Sequence, residues 1–258
     1  MPCSERFTDK IAVITGATGG LGSAIAHRFA AEDATVVLTG RHPGKGARLT
    51  RTLRQAGGRA EFIAADLRRD EDIIDLVGAV RREYARVDAL VLNAGVISFG
   101  DTCAISPNDF DDMIAVNVRA PWMLARTFEP LLTENASVIV TASVSSFTHF
   151  PGEGVYCMSK AAVIPMVHAL ALEWAGRGIR VNALCPGVVA DRGMSHDAVT
   201  ASDDPAAEQE RNNAMTPLRR PASLEEIAAA AAYLASTESA FMTGQSLILD
   251  GGLAIPRV

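Results

Sequence analysis

Short, continuous apolar runs alternate along this chain with longer stretches in which apolar residues return every three or four positions. The runs at 11–15, 35–39, 60–64, 89–93, 137–141, 180–184 and 246–250 predict strands. Most lack polar alternation, as expected where helices cover both faces of a sheet. Helical periodicity predicts helices over 21–31, 44–56, 70–84, 107–133, 155–177 and 224–236. Regular alternation of strand and helix marks repeated βαβ units, so the expected fold class is α/β: a doubly wound, parallel, seven-stranded sheet with helices on both faces. No linker or repeat divides the series, and residues 1–258 are expected to form a single domain. The stretch 188–217 stands apart. It is polar, weakly patterned and long for a connection in a compact domain, which suits a binding loop or substrate lid.

Composition narrows the classes of function. The 258 residues are 48% hydrophobic and 21% charged with a net charge of −6, so no broad basic surface is offered to a nucleic acid. The pairs Arg68-Arg69, Arg81-Arg82 and Arg219-Arg220 are scattered and read as solvated helix faces. Cys3, Cys103, Cys157 and Cys185 have neither CxxC spacing nor the density of a disulfide framework, and are expected to be reduced thiols of a cytoplasmic protein. Residues 1–10 are polar and mixed in charge, unlike a signal peptide, and no stretch is expected to reach the roughly 20 apolar residues of a membrane span. His27, His42, His149, His168 and His196 lack metal-ligand spacing, so no metal is expected. A G-x-S-x-G elbow is missing, which argues against serine-hydrolase chemistry.

The first predicted strand runs into Thr15-Gly16-Ala17-Thr18-Gly19-Gly20-Leu21-Gly22 and then into helix. Glycines at 16, 20 and 22 allow a tight turn, bring backbone N–H groups up to a pyrophosphate and let the helix pack closely on the sheet, its N-terminus facing the anion. This GxxxGxG spacing after a threonine resembles the short-chain dehydrogenase/reductase family. Similar motifs follow in family order over nearly the whole chain: Asp66, Asn93-Ala94-Gly95, Asn117, Ser143, Tyr156-x-x-x-Lys160, Pro186-Gly187 and Asp250-Gly251-Gly252. The resemblance implies a Rossmann-type fold and an NAD(P)(H)-dependent oxidoreductase acting on a carbonyl or secondary alcohol of a small or medium substrate. It also implies a homo-oligomer, dimer or tetramer. On this reading Gly16, Thr18, Gly19, Gly20, Leu21 and Gly22 cradle the cofactor phosphates, and Asp66 and Leu67 meet the adenine. Asn93, Ala94 and Gly95 lie along the adenosine half, and Pro186, Gly187 and Val189 border the nicotinamide.

The second strand ends Leu38-Thr39-Gly40-Arg41, at the level where a carboxylate bonds the ribose 2′-hydroxyl of NAD and an arginine takes the 2′-phosphate of NADP. Gly40 stands where an NAD-preferring member of the family carries Asp, and the guanidinium of Arg41 suits a phosphate. NADP(H) is therefore favoured, with NAD(H) as the alternative.

Tyr156 and Lys160, four residues apart at a helix start, share a face, and an ammonium beside the phenol favours the phenolate. Tyr156 is thus the expected acid/base. The resemblance adds that Lys160 bonds the nicotinamide ribose and passes protons onward, that Ser143 bonds the substrate oxygen, and that Asn117 holds a relay water near Lys160. Ser145 and Ser146 are nearby competitors for the role of Ser143. Thr148, His149, Phe150 and Val155 are expected to line one wall of the substrate site and Met194 the other, with His149 and Met194 touching substrate alongside Ser143 and Tyr156. Two residues depart from the family pattern. Asp191 replaces a common Thr and would repel phosphate unless the loop turns it away, and Pro165 is expected to kink the 155–177 helix because it cannot donate to the Ala161 carbonyl. Two other functions stay open: a 3-oxoacyl-thioester reductase of fatty-acid synthesis, though no convincing basic patch for an acidic carrier is seen, and a non-catalytic nucleotide-binding sensor, which needs no proton relay.

Overall fold

The structure, a computed structural model, describes residues 6–190, 199–200, 202 and 204–255. Seven apolar segments form strands: β1 (Ile11–Ile14), β2 (Thr35–Gly40), β3 (Arg59–Ala64), β4 (Val87–Leu92), β5 (Leu132–Thr141), β6 (Arg180–Pro186) and β7 (Ser246–Leu249). All pair in parallel, in the order β3-β2-β1-β4-β5-β6-β7. The helices named below are α1 (Gly20–Ala31), α2 (Pro43–Gln55), α3 (Asp70–Tyr84), α4 (Pro107–Ile114), α5 (Ala120–Phe128), α6 (Gly154–Ala161), α7 (Val163–Trp174), α8 (Pro205–Met215) and α9 (Leu224–Ala235).

Alternate strand residues point to opposite faces, so each face must be covered. Val13 and Leu90 enter one apolar layer with Ile73, Phe128 and Val167 from α3, α5 and α7. Ile14 and Val91 enter the other with Ile25, Phe29 and Ile227 from α1 and α9. This is the doubly wound, Rossmann-type sheet that the sequence implies. Strand order reverses beside β1, which has β2 on one side and β4 on the other, and the connections leaving β1 and β4 therefore diverge over the carboxyl ends of the strands. A cavity of about 550 Å³ lies there.

Three predicted elements are corrected. The helix expected over 107–133 is four pieces: α4, a π-helical turn at Ala115–Arg119, α5, and a 3₁₀ turn at Glu129–Leu131. Pro121 has no N–H for the Asn117 carbonyl, and the backbone accommodates this with an i to i−5 bond in which Ala120 N–H donates to the Ala115 carbonyl. Residues 132 and 133, expected to be helical, already belong to β5, whose pairing with β4 jumps from Val87–Leu132 to Ala89–Ser137. The helix expected over 155–177 is interrupted at Ala162, just before Pro165, in keeping with the expected effect of that proline. Contrary to expectation, Gly154–Arg177 is long and apolar enough by length and composition to cross a membrane. Its apolar content has a visible use, since Val163, Val167, Ala171 and Trp174 pack into the sheet-facing core. Within 188–217 the described residues include α8, N-capped by Asp204, and a bridge from Val189 to Ala222.

Arg180 of β6 secures the end of α9. Its guanidinium is buried and donates to the carbonyls of Leu234 (2.8 Å) and Ser236 (3.0 Å) and to the Ser239 hydroxyl (2.8 Å). The last carbonyls of a helix lack intrahelical partners, and a cation there also suits the helix dipole. Arg180→Met is expected to remove these charged hydrogen bonds while the hydroxyls of Ser137 and Ser239 still reach the carbonyls, costing about 2 kcal/mol. At this chain length that is a fall in Tm of roughly 4–8 °C, measurable by calorimetry.

Candidate active site

The β1–α1 turn is shaped by close approach of backbone to backbone. Gly16 has φ +63°, and a Cβ on it would fall 2.8 Å from the Ala94 Cα. A Cβ on Gly22 would strike the Gly16 carbonyl oxygen and come within 2.8 Å of Asn93 Nδ2. Thr15, buried under the turn, accepts hydrogen bonds at Oγ1 from the N–H groups of Asn93 (2.9 Å) and Ala94 (3.1 Å), while Asn93 Nδ2 donates to the Thr15 carbonyl (3.0 Å). The ends of β1 and β4 are thereby fixed against each other. The α1 cap, Gly19, offers no side-chain bond, so the first N–H groups of the helix keep their donors for an anion. Such a cradle, with no room for a Cβ at two of its positions, fits a dinucleotide pyrophosphate.

All the residues expected to hold a dinucleotide line this one cavity: Gly16 and Thr18 to Gly22 of the turn, Arg41, Asp66 and Leu67, Asn93 to Gly95, Tyr156 and Lys160, and Pro186, Gly187 and Val189. Beside Gly40 stands the Thr18 hydroxyl, 3.0 Å from where a Cβ would lie, so a larger residue there would have to displace it. His42 and Lys45, unnoticed in the sequence, join Arg41 on the wall at the start of α2. The Asp66 carboxylate is held by Arg68, whose Nε donates to it at 3.0 Å and whose hydrogen bonds keep it below the usual carboxylate range.

At the far side of the cavity β5 delivers Thr141 and Ser143, and α6 delivers Tyr156 and Lys160. The Ser143 hydroxyl accepts the Ser145 N–H at 3.1 Å and lies near enough to the Tyr156 phenol to act on its pKa. Lys160 is buried, donates from Nζ to the Thr141 carbonyl at 2.8 Å, and lies 5.8 Å from the centre of the Tyr156 ring. Burial pushes its pKa down to about 8. Burial dominates and raises the Tyr156 pKa, the Ser143 hydrogen bond opposes it, and Glu153 adds to the rise. The phenol is a proton carrier here.

Asn117 does not reach the cavity wall. Its Oδ1 accepts the Val96 N–H (2.9 Å), and its Nδ2 donates to the Val96 carbonyl (2.8 Å) and the Ser159 hydroxyl (2.9 Å). It braces the β4 loop against the tyrosine helix, and the π-helical turn is what puts it there. His149 also departs from expectation: it is exposed and off the cavity wall, and half-buried Thr148 is off the wall as well, because Phe150 takes the inward place in that loop. Val155 is buried behind the wall with Met113. Met194 and Asp191 lie outside the described residues. Glu153, missed in the sequence, does line the cavity. It sits one helical turn before Tyr156 and accepts the Ser145 hydroxyl at 3.2 Å, and burial raises its pKa. Glu208, Asn212 and Met215 of α8 close the same side.

Fold and site together define an oxidoreductase built on a doubly wound sheet. A family profile described as enoyl-(acyl carrier protein) reductase matches residues 16–254. An uncharacterized oxidoreductase of Thermotoga maritima is 34% identical over 249 residues, 96% of this chain and 98% of its own. A glucose 1-dehydrogenase of Gluconobacter oxydans is 36% identical over 258 residues, 98% of this chain and 95% of its own. Among solved structures, a short-chain dehydrogenase/reductase from Serratia marcescens superposes with a TM-score of 0.90 at 30% identity, covering 97% of this chain and 100% of that one. The chain belongs to the short-chain dehydrogenase/reductase family, whose members generally use NAD or NADP.

Proposed function

We propose that this oxidoreductase is a single-domain enzyme that reduces a carbonyl, or oxidises the matching secondary alcohol, of a small or medium substrate, and that it prefers NADP(H) to NAD(H). The observation that carries the reading is that the hydroxyls of Ser143 and Tyr156 and the buried amine of Lys160 share the wall of the cavity that also holds the glycine cradle. The turn at Gly16 to Gly22 would hold the pyrophosphate, Asp66 and Leu67 the adenine, Asn93 to Gly95 the adenosine half, and Lys160, Pro186, Gly187 and Val189 the nicotinamide half. When bound, the nicotinamide supplies or accepts the hydride. Tyr156 gives its phenolic proton to the substrate oxygen in reduction and takes it back in oxidation. Ser143 donates a hydrogen bond to the same oxygen and steadies the negative charge that develops there. Lys160 sits behind the phenol as the next proton donor, and Asn117 holds the surrounding backbone. NADPH consumption with a panel of ketones tests the reaction, and a panel without turnover would overturn it.

Arg41, with Lys45 beside it, supports the preference for NADP(H). Arg41→Ala is expected to raise the KM for NADPH roughly 10- to 100-fold, the worth of a charged hydrogen bond, and to leave the KM for NADH within about twofold. Steady-state kinetics with both cofactors would show it.

The family profile's description favours one second reading, an acyl-thioester substrate. The alcohol–carbonyl reading stands first because a glucose 1-dehydrogenase is among the relatives, at 36% identity, and an acyl-thioester in the substrate panel separates the two. A catalytically silent nucleotide sensor is the weaker alternative, since it has no use for a phenol backed by a buried amine. The same proposal takes 188–217 as a lid, with α8 already on the cavity wall, and a homo-oligomer, dimer or tetramer, formed in part by the outer face of α6 and α7, where Met158 and Leu172 are exposed. A cytoplasmic location accords with the free thiols of Cys103, Cys157 and Cys185.

A further inference from the structure

The cavity is chemically lopsided. At the end of β2 its wall carries Arg41, His42 and Lys45. Across β1 and β4, at the level of β5, the wall around Tyr156 is built from Phe99, Phe150, Met215 and Leu253, with two carboxylates set among them. One of these, Glu208, is neutralised by Arg211, which bonds it through Nε at 3.1 Å. The other is Glu153, and among the described residues no cation faces it. Its one side-chain partner is the Ser145 hydroxyl, at 3.2 Å.

A carboxylate accepts up to about four hydrogen bonds, and leaving it short of partners in a partly desolvated wall is costly. Nothing in the packing of α6 calls for an acid here. Glu153 is the residue before the first turn of the helix, and its side chain does not cap that helix. The position matters more. Glu153 lies three residues before Tyr156, so the two side chains neighbour each other on one helix face. Ser145, which bonds Glu153 through its hydroxyl, also donates its N–H to the Ser143 oxygen. The free acceptors of Glu153 are thus set on the same cavity wall as the two groups that address the reacting oxygen, and linked to Ser143 through Ser145.

We propose that Glu153 is a specificity-determining residue that accepts a hydrogen bond from a hydroxyl group on the substrate carbon next to the reacting one. The preferred substrate is then an α-hydroxy ketone in reduction and a vicinal diol in oxidation. This rests on the carbonyl–alcohol reading given above, and on Tyr156 as the proton donor.

The test compares 2-hydroxycyclohexanone with cyclohexanone, using NADPH, in the wild type, Glu153→Gln and Glu153→Leu. The expected wild-type kcat/KM favours the hydroxyketone by about tenfold or more, because a site built to bond a hydroxyl rejects the analogue without one. Glu153→Leu is expected to bring the ratio to about one, and Glu153→Gln, whose amide oxygen still accepts, to hold an intermediate value. Equal wild-type rates on the two ketones, or a ratio unmoved by Glu153→Leu, would overturn the proposal. Failure of the underlying reading looks different: Tyr156→Phe would then keep its turnover on both ketones. Should the wild type reduce neither ketone, saturation-transfer NMR on the protein with NADP⁺ gives the answer without turnover. Trans-1,2-cyclohexanediol is expected to bind more tightly than cyclohexanol, an advantage lost in Glu153→Leu, and equal binding of the two would refute the assignment.

Discussion

Tyr156→Phe is expected to lower kcat by about 10³-fold in both directions while the Kd for NADPH stays within about twofold, because general acid–base catalysis is worth 10²–10⁴. The substitution removes the proton and little else. The ring is buried beside Met113 and Val155, and phenylalanine fills that space equally well. What is lost is the hydroxyl on the cavity wall beside Ser143. Cofactor titration by fluorescence and steady-state kinetics separate the two effects, and a variant that kept a tenth of its rate would end the case for this phenol. The pH dependence follows from Lys160. Its pKa, lowered to about 8 by burial, means that the ammonium is intact below pH 8 and lost above it. The rate of reduction should therefore hold through neutral pH and decline above about pH 8 as the proton behind Tyr156 disappears.

Gly22→Ala is expected to be nearly as damaging, for a different reason. Its Cβ would strike the Gly16 carbonyl oxygen, with the Ala17 Cα 2.9 Å away, so α1 would have to lift from the turn. Overpacking of this kind costs about 1–3 kcal/mol, and the displaced N–H groups would no longer converge on one anion. A rise of about 100-fold in the Kd for NADPH and a Tm lower by roughly 5–10 °C are the expected results. Gly19→Ala is the control for stability. Its Cβ would meet only the Gly16 carbonyl oxygen, at an ordinary 3.4 Å, and the Tm should scarcely move.

Much of this site could be read in the sequence because it is built from backbone. Gly16, Gly22 and Asn93 serve through close approach and strand ends, and such demands restrict residue type so strongly that spacing alone reveals them. The sheet was legible for a similar reason, since strands covered on both faces can hardly be other than apolar. What escaped was whatever depends on three-dimensional facing. Periodicity ran 107–133 together as one helix because the π turn keeps the apolar content while changing the hydrogen-bond partner. His149 and Phe150 are adjacent, and only the path of the loop decides which of them meets the cavity. Glu153 carries no motif of its own, and its meaning lies in Ser145, which is brought to it by the strand and loop that end in the 3₁₀ turn at Val144–Ser146. The Tyr156–Lys160 spacing gave their shared helix face, whereas the burial that acts on both groups comes from the packing around them, which spacing does not report.

The π turn at Ala115–Arg119 also sets a rule about chain length. A turn closed by an i to i−5 bond holds one residue more than an α turn, and the wide turn absorbs that residue without rotating the helix on either side. Deleting a single residue here would let the turn close in α geometry and run α4 into α5 with both still in place. Leu124 and Phe128 would keep to the layer that faces the sheet, while Asn117, carried by the wide turn itself, would part from Val96 and Ser159. The extra residue thus belongs to the brace on the β4 loop, and the packing of α5 can do without it.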